Sequence, residues 1–214
     1  MIVIFKLGGS LLDLPDLPLR LAALLAQRPD RRHLLIVGGG PAADIVRNWD
    51  RIYRLGDDVA HRLAIQAMTL NAKMLQALMP GAELSGGPEE IGTESVERGL
   101  AILDPVAFLN RAKELPSSWD VTSDSIAASA ALRWNAEELV LMKSRCLPAA
   151  CTLADAQHVG LVDRYFSKIA GRLPRIGWVN LRDATPRIER WLGEPKLRKS
   201  SQSGDESPHS ILAP

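Results

Sequence analysis

The sequence predicts an α/β fold around a mainly parallel sheet, and three observations carry that expectation. Continuous apolar runs of strand length recur at Ile2–Phe5, Leu34–Val37 and Leu139–Met142. Such runs suit parallel strands covered on both faces. Stretches with helical spacing lie between them, and glycine-rich turns, Gly8-Gly9 and Gly38-Gly39-Gly40, close the first two runs. Alternation of this kind is the signature of strand–helix–strand units.

Taken in order, Ile2–Phe5 is the first strand and Leu17–Ala26 a helix, with Pro18 tolerated in its first turn. Leu34–Val37 is the second strand, followed by a helix from Pro41 to about Trp49. Asp57–Leu78 reads as a long helix with Leu63, Ala67, Leu70 and Met74 on one stripe, and Gly81–Gly99 as mostly loop. Ala101–Leu103 is a short strand, Val106–Ala112 a helix, and Ser123–Trp134 a helix capped by Thr122 or Ser123. Beyond the strand Leu139–Met142 come helical turns at Leu153–Gln157 and Val162–Ile169, a strand at Ile176–Asn180, and a closing helix at Pro186–Leu192. Periodicity stops near Glu194. Residues 1–193 are expected to form one domain and residues 194–214 a disordered tail rich in serine.

Composition excludes more than it assigns. Of 214 residues, 26 are Lys or Arg and 25 Asp or Glu, so the formal charge of +1 argues against a basic nucleic-acid binder. No apolar run approaches the ~20 residues that span a bilayer, and Met1–Lys6 reads as a strand with no leader pattern. A cytoplasmic protein without membrane or nucleic-acid partners is expected. Cys146 and Cys151 have no metal-site spacing and read as reduced and buried or half-buried. His33, His158 and His209 form no metal-ligating constellation, so no protein-held metal is expected.

Three motifs could carry chemistry. In Lys6-Leu7-Gly8-Gly9-Ser10, two glycines let backbone N–H groups approach an anion, Lys6 supplies a point charge and Ser10 a hydroxyl. The spacing is not that of a Walker A loop, and a plain tight turn with a surface lysine would read the same way. Gly38-Gly39-Gly40-Pro41 opens a helix, whose free N–H groups and dipole favour anions. Two glycine turns at one sheet edge could hold two phosphate groups face to face. The third motif is Trp119-Asp120-Val121-Thr122-Ser123-Asp124-Ser125, again at a helix start. There Thr122 and Ser123 could donate to phosphate and Asp124 could orient a lysine, while Trp119 reads as a packing residue before a stacking platform. Lys143 and Ser144 end a strand at the same edge; reaching phosphate and simple solvation are equal readings for that lysine. His61, on the long helix, has the ordinary reading of a structural or solvated histidine.

Together these motifs resemble the amino acid kinase superfamily, which includes acetylglutamate, aspartate and uridylate kinases. The resemblance spans residues 1–193. It looks closest to an archaeal branch that phosphorylates an (aminomethyl)furanmethyl phosphate in methanofuran biosynthesis. The stretches that carry it are Gly38–Gly40 with Ala43, Val46-Arg47 and Asp50; His61–Ile65 with Met68; Ser118-Trp119; Val162-Asp163 with Phe166; and Val179-Asn180. The resemblance implies a three-layer sandwich with helices on both faces of the sheet, ATP as phosphoryl donor, Mg²⁺ on the nucleotide and a homo-oligomer formed through the Asp57–Leu78 helix. By the same resemblance Lys6 neutralises the transferring group; Gly8, Gly9, Ser10, Thr122, Ser123 and Ser144 hold the nucleotide phosphates. Gly38, Gly39, Gly40, His61 and Trp119 hold the acceptor, and Asp124 organises the lysines. The second lysine has two candidates, Lys143 and Lys168. The sequence departs from the family at Lys143–Ala150, where the usual acidic pair and glycine are missing. Three functions are therefore carried forward: a kinase acting on a phosphate monoester, a carboxylate kinase acting on an amino acid, and a non-catalytic binding or assembly subunit.

Overall fold

The computed structural model of the chain describes residues 1–90, 100–112 and 114–192. Its strands are β1 (Ile2–Leu7), β2 (Arg32–Val37), β3 (Glu83–Ser85), β4 (Leu100–Leu103), β5 (Glu138–Lys143), β6 (Ile176–Asn180) and β7 (Glu189–Leu192). Its helices are α1 (Leu17–Leu25), α2 (Gly40–Tyr53), α3 (Asp57–Leu78), α4 (Pro105–Arg111), α5 (Ser123–Arg133), α6 (Leu153–His158) and α7 (Phe166–Ala170). The strands form one seven-stranded sheet in the order β3-β4-β2-β1-β5-β6-β7. All neighbours are parallel except β7, which runs antiparallel to β6.

The apolar runs alternate between two cores. Ile4, Ile36, Leu139 and Leu141 face one side, where α5 and α7 pack. Val3, Phe5, Leu7, Val37, Val140 and Met142 face the other, against Leu17, Leu21 and Leu24 of α1. Period-two alternation inside an uninterrupted apolar run is what a doubly covered strand requires. The result is a three-layer α/β sandwich. Helix α5 lies deepest, with Ser123 to Ala131 all buried; its alanines and serines are small enough for close approach to the sheet.

Parallel strands place their ends together. Gly8-Gly9 after β1, Gly38–Gly40 after β2, Lys143-Ser144 after β5 and Asn180 at the end of β6 share the carboxyl edge of the sheet. Ligands of open α/β sheets bind beyond that edge.

Several expectations need correction. Pro186–Leu192 does not form a helix. Glu189–Leu192 is an edge strand, and Trp191 stacks on Phe166 and meets Trp178 edge-on, so aromatic packing overrides the apparent helical spacing. The buried stripe of α3 is Ala60, Ala64, Ala67, Met68, Asn71 and Leu75, whereas Leu70 is exposed and Leu63 only half-buried. The segment after α3 contains the short strand β3; residues 91–99 and the expected tail at 194–214 lie outside the described residues. Helix α2 runs on to Tyr53, and the helix expected from Val162 begins only at Phe166. Both cysteines are free, as expected, but Cys146 is exposed. Among the described residues, no helix is long and apolar enough to cross a membrane.

Candidate functional site

At the centre of the carboxyl edge, Asp124 on the first turn of α5 holds two lysines. Lys6 Nζ lies 2.9 Å from its Oδ1. Lys143 Nζ donates to both carboxylate oxygens at 2.8 Å and to the Leu161 carbonyl at 2.6 Å. Strand register brings this about. Lys6 pairs with Leu141, so Lys143 lies two residues further along β5 and its side chain leaves the same face of the sheet, the face that α5 covers. Lys6 and Asp124 are buried, with 5% and 6% side-chain exposure, and Lys143 is partly buried at 13%.

Burial raises the Asp124 pKa, but the charges of Lys143 and then Lys6 overcome it and hold the carboxyl at about 2. Burial lowers the Lys143 pKa; the Asp124 charge partly offsets this, Lys6 lowers it again, and the ammonium ends at about 8. Taken by themselves, two ammonium groups and one carboxylate carry a net charge of +1, which the Asp163 carboxylate partly offsets at Lys143. A buried uncompensated charge is costly, and an anion arriving at this edge would neutralise it.

Both glycine turns flank this cluster, and they also interlock. Gly40 has φ +50°, and a methyl group on it would lie 2.6 Å from the Gly9 carbonyl oxygen; a methyl on Gly9 would strike the Gly40 nitrogen. These two glycines thus serve close backbone packing as well as anion approach. The turns are fixed by Gly8 N–H on the Met142 carbonyl at 2.9 Å, and by the Asn71 amide, which donates to the carbonyls of Gly38 and Gly39 at 2.8 Å each. Ser10 and Ser144 meet, hydroxyl to hydroxyl, at 3.1 Å. Arg182 adds a cation beside them, donating to the Ser10 carbonyl at 2.7 Å and to Asp13 at 2.6 Å.

The start of α5 is held by Asp163, from the loop before α7, and not by the Thr122 or Ser123 side chain. Its carboxylate accepts five hydrogen bonds, from the N–H and hydroxyl of Thr122, the N–H and hydroxyl of Ser125, and the N–H of Phe166. Both donors of Thr122 are spent there, so Ser123 is what this turn offers to a ligand. Asp163 is an N-cap supplied from elsewhere in the chain, and it fixes the turn that carries Asp124.

Beside the cluster lies a cleft of about 170 Å³, lined by the two glycine turns, Ser10, Ser123, α2 and α3. His61 and Trp119 both line it. Trp119 does more than pack: its Nε1 donates to Asp50 at 2.9 Å, and the Arg47 guanidinium, ion-paired with Asp44, lies over its ring at 4.5 Å. His61 is half-buried, and burial lowers its pKa. Lys168 lies elsewhere, exposed over Tyr165 at 4.9 Å, which leaves Lys143 as the second lysine of the cluster. A smaller recess of about 120 Å³ opens past Ser144, between the ends of β5 and β6, lined by residues that include Cys146, Asn180 and Asp183. Among the described residues, no group of His, Cys, Asp or Glu is arranged to hold a metal ion.

Asn71, Asp163, Arg47 and Arg182 were missed as site residues from residue pattern alone. Arg47 and Asp163 lie within the stretches that carry the family resemblance, which was the available signal. Asn71 and Arg182 gave none, because their partners are 32 or more residues away.

Comparisons with known proteins bear on the family and the fold. The chain is 28% identical over 124 residues to the [5-(aminomethyl)furan-3-yl]methyl phosphate kinase of Methanocaldococcus jannaschii, a match covering 58% of this chain and 57% of that relative. The chain thus spans little more than half the length of that curated relative. Among solved structures, uridylate kinase from Archaeoglobus fulgidus superposes with a TM-score of 0.58 at 18% identity, covering 83% of this chain and 90% of that one. UMP kinase from Ureaplasma parvum gives 0.57 at 12% identity, with 86% and 91% covered. Aspartate kinase from Synechocystis gives 0.51 at 13% identity, with 84% and 38% covered. Residues 1–144, the greater part of the sequence, match the family model described as the amino acid kinase family; the chain belongs to that family.

Proposed function

We propose that the chain is an ATP-dependent small-molecule kinase whose acceptor is a phosphate monoester of the (aminomethyl)furanmethyl phosphate kind, in assembly of a methanofuran-type cofactor. The observation that carries this is the buried Lys6–Asp124–Lys143 cluster, net positive and flanked by two glycine turns. The archaeal relative supports the acceptor class.

Phosphoryl transfer of this type needs positioning and charge stabilisation more than covalent chemistry. Lys6 and Lys143 would face the charge that spreads over the transferring group, with Asp124 holding both ammonium groups so that they need not reorganise. Free N–H groups at Gly9 and Gly40, with the hydroxyls of Ser10, Ser123 and Ser144, would hold donor and acceptor phosphates apart from water. A phosphate monoester brings its own nucleophilic oxygen, so no general base is required. Mg²⁺ would travel on the nucleotide and neutralise its β- and γ-oxygens. The recess at Asn180 and Asp183, whose amide and carboxylate hydrogen-bond each other at 2.6 Å, would take the base in place of the family's usual acidic loop. Localisation in the cytoplasm belongs to the same proposal.

Saturating Mg-ATP at a hundred times its Kd should raise stability by about 2.7 kcal/mol, roughly 5–10 °C in Tm. Lys6→Ala should lower transfer to furanmethyl phosphate at least about 100-fold. The rewritten Lys143–Ala150 segment favours the second reading, a binding subunit without turnover; unchanged melting at millimolar Mg-ATP would decide for it. Transfer to glutamate or aspartate in place of the ester would decide for the carboxylate kinase.

A further inference from the structure

The cleft beside the lysine cluster is lined for an anion by Gly9, Gly39, Gly40, Ser10 and Ser123. One lining residue works against that. Asp44, in the second turn of α2, brings a carboxylate into the same cleft. A carboxylate near a phosphate site repels the phosphate unless a cation accompanies it. In this structure the cation is the chain's own. Arg47, one turn further along α2, ion-pairs with Asp44, and its guanidinium lies 4.5 Å over the Trp119 ring. Arg47 and Trp119 line the cleft as well.

A carboxylate and an indole face are the two kinds of group that recognise an organic cation. Here they differ from their present occupant in how firmly they are held. Trp119 is fixed from behind by Asp50. One carboxylate oxygen accepts from the indole Nε1 at 2.9 Å, the other from the Gly56 N–H at 3.2 Å. Arg47 is held lightly. Its side chain is 52% exposed and that of Asp44 67%, and among the described residues Asp44 is its one hydrogen-bond partner. An exposed pair of this spacing contributes little, so a ligand cation can displace the guanidinium at small cost.

We propose that Asp44 and the Trp119 face form an ammonium subsite within the acceptor cleft, filled by Arg47 until the acceptor's own amine displaces it. The subsite selects acceptors that carry a primary amine on the same small ring as the phosphate ester. An ammonium replaces the guanidinium one for one, so Asp44 stays neutralised while the ring is oriented from both ends. This inference rests on the phosphate-acceptor reading and deepens it by naming the residues that would read the amine.

Isothermal titration can compare [5-(aminomethyl)furan-3-yl]methyl phosphate with its 5-(hydroxymethyl) counterpart, which matches it in size and lacks the charge. The amine should bind at least about tenfold tighter. Asp44→Asn keeps the shape of the side chain and should reduce that preference to within about threefold. Arg47→Met should move it the other way, raising it roughly twofold to fivefold, because the competing cation is gone. A purely structural role for the Asp44–Arg47 pair would not move the preference in opposite directions. Should Asp44→Asn fail to fold by circular dichroism, Arg47→Met carries the test alone. Equal affinity of the two esters for the unaltered chain overturns the subsite and leaves the kinase reading standing. A preference that survives Asp44→Asn, or that falls in Arg47→Met, also overturns it. The expected preferences without phosphoryl transfer from Mg-ATP would support the subsite and overturn the kinase reading. Failure of both esters to bind, with or without Mg-ADP, overturns this inference and the phosphate-acceptor reading together.

Discussion

Replacing Lys143 by methionine should leave the fold as stable or more stable while removing the proposed phosphoryl transfer. Lys143 keeps only 13% of its side-chain surface exposed. Its pKa falls from 10.5 to about 8, first because of burial. At pH 7 the ammonium is still charged, and holding that proton in the folded chain costs on the order of 3 kcal/mol. Methionine has similar length and no charge. It forfeits the 2.8 Å bonds to Asp124 and the 2.6 Å bond to the Leu161 carbonyl, together a loss of about 2–3 kcal/mol. The net expectation is a gain of roughly 0–1 kcal/mol, the difference of those two terms. Lys6–Asp124 remains as a neutral pair. Asp124→Asn has the opposite sign: it strands two buried ammonium groups and should cost about 3–5 kcal/mol. The pH dependence follows from the same shift. Between pH 8 and 10.5 the unfolded chain holds the Lys143 proton more tightly than the folded one, so stability from this group rises with pH and its cost is fully present below 8. Urea unfolding of the original chain and Lys143→Met, at pH 7 and again near pH 10, reads the difference directly. The gap between the two proteins should close as pH rises. Should Lys143→Met unfold 2 kcal/mol more easily at pH 7, or should the gap stay constant to pH 10, the charge is not strained and the reasoning fails. Persistence of phosphoryl transfer in the variant would remove Lys143 from the proposed mechanism.

Asp163→Ala strands the N–H groups of Thr122 and Ser125, while the Phe166 N–H keeps its 3.2 Å bond to the carbonyl of residue 163. Losing a cap together with charge-assisted bonds should cost about 3 kcal/mol, on the order of 10 °C by calorimetry; a shift within 2 °C would show that Asp163 does not hold α5. Ile45, Trp49, Ile52 and Tyr53 lie exposed on α2, at helical spacings that share one face. They extend the homo-oligomer expected through α3 to include α2, so light scattering should give a dimer or larger, and Ile52→Glu should shift it toward monomer. A monomer for the unaltered chain would refute this.

How far the sequence could be read depended on whether a residue's partner was local. The parallel strands were readable because each buries both faces and so shows as an unbroken apolar run. The last element was misread because Ile188, Trp191 and Leu192 have helical spacing, while the contacts that decide it are remote: Phe166, Trp178 and the Cys151 carbonyl that accepts from the Trp191 indole. On α3 the large residues suggested one stripe, yet the buried face mixes four alanines and Asn71 with Ile65, Met68 and Leu75, because close helix approach and the hold on the glycine turn matter there as much as side-chain size.

The site divides in the same way. Gly8-Gly9 and Gly38–Gly40 announce themselves as anion turns, but the contact between Gly9 and Gly40 exists only because β1 and β2 are adjacent and parallel. Lys143 is the sharpest case. At the end of a strand, solvation and a catalytic role read alike in sequence. Register separates them: Lys6 is level with Leu141, and two residues on the alternation returns Lys143 to the same face, over which α5 presents Asp124. A slip of one residue between β1 and β5 would put Lys143 on the opposite face, the side of α1, and leave Asp124 with one lysine. The buried cluster is thus a property of strand register as much as of its three residues. The chain's departure at Lys143–Ala150 therefore has two sides. It removes the family's acidic loop, and it places at the end of β5 the lysine that completes the cluster.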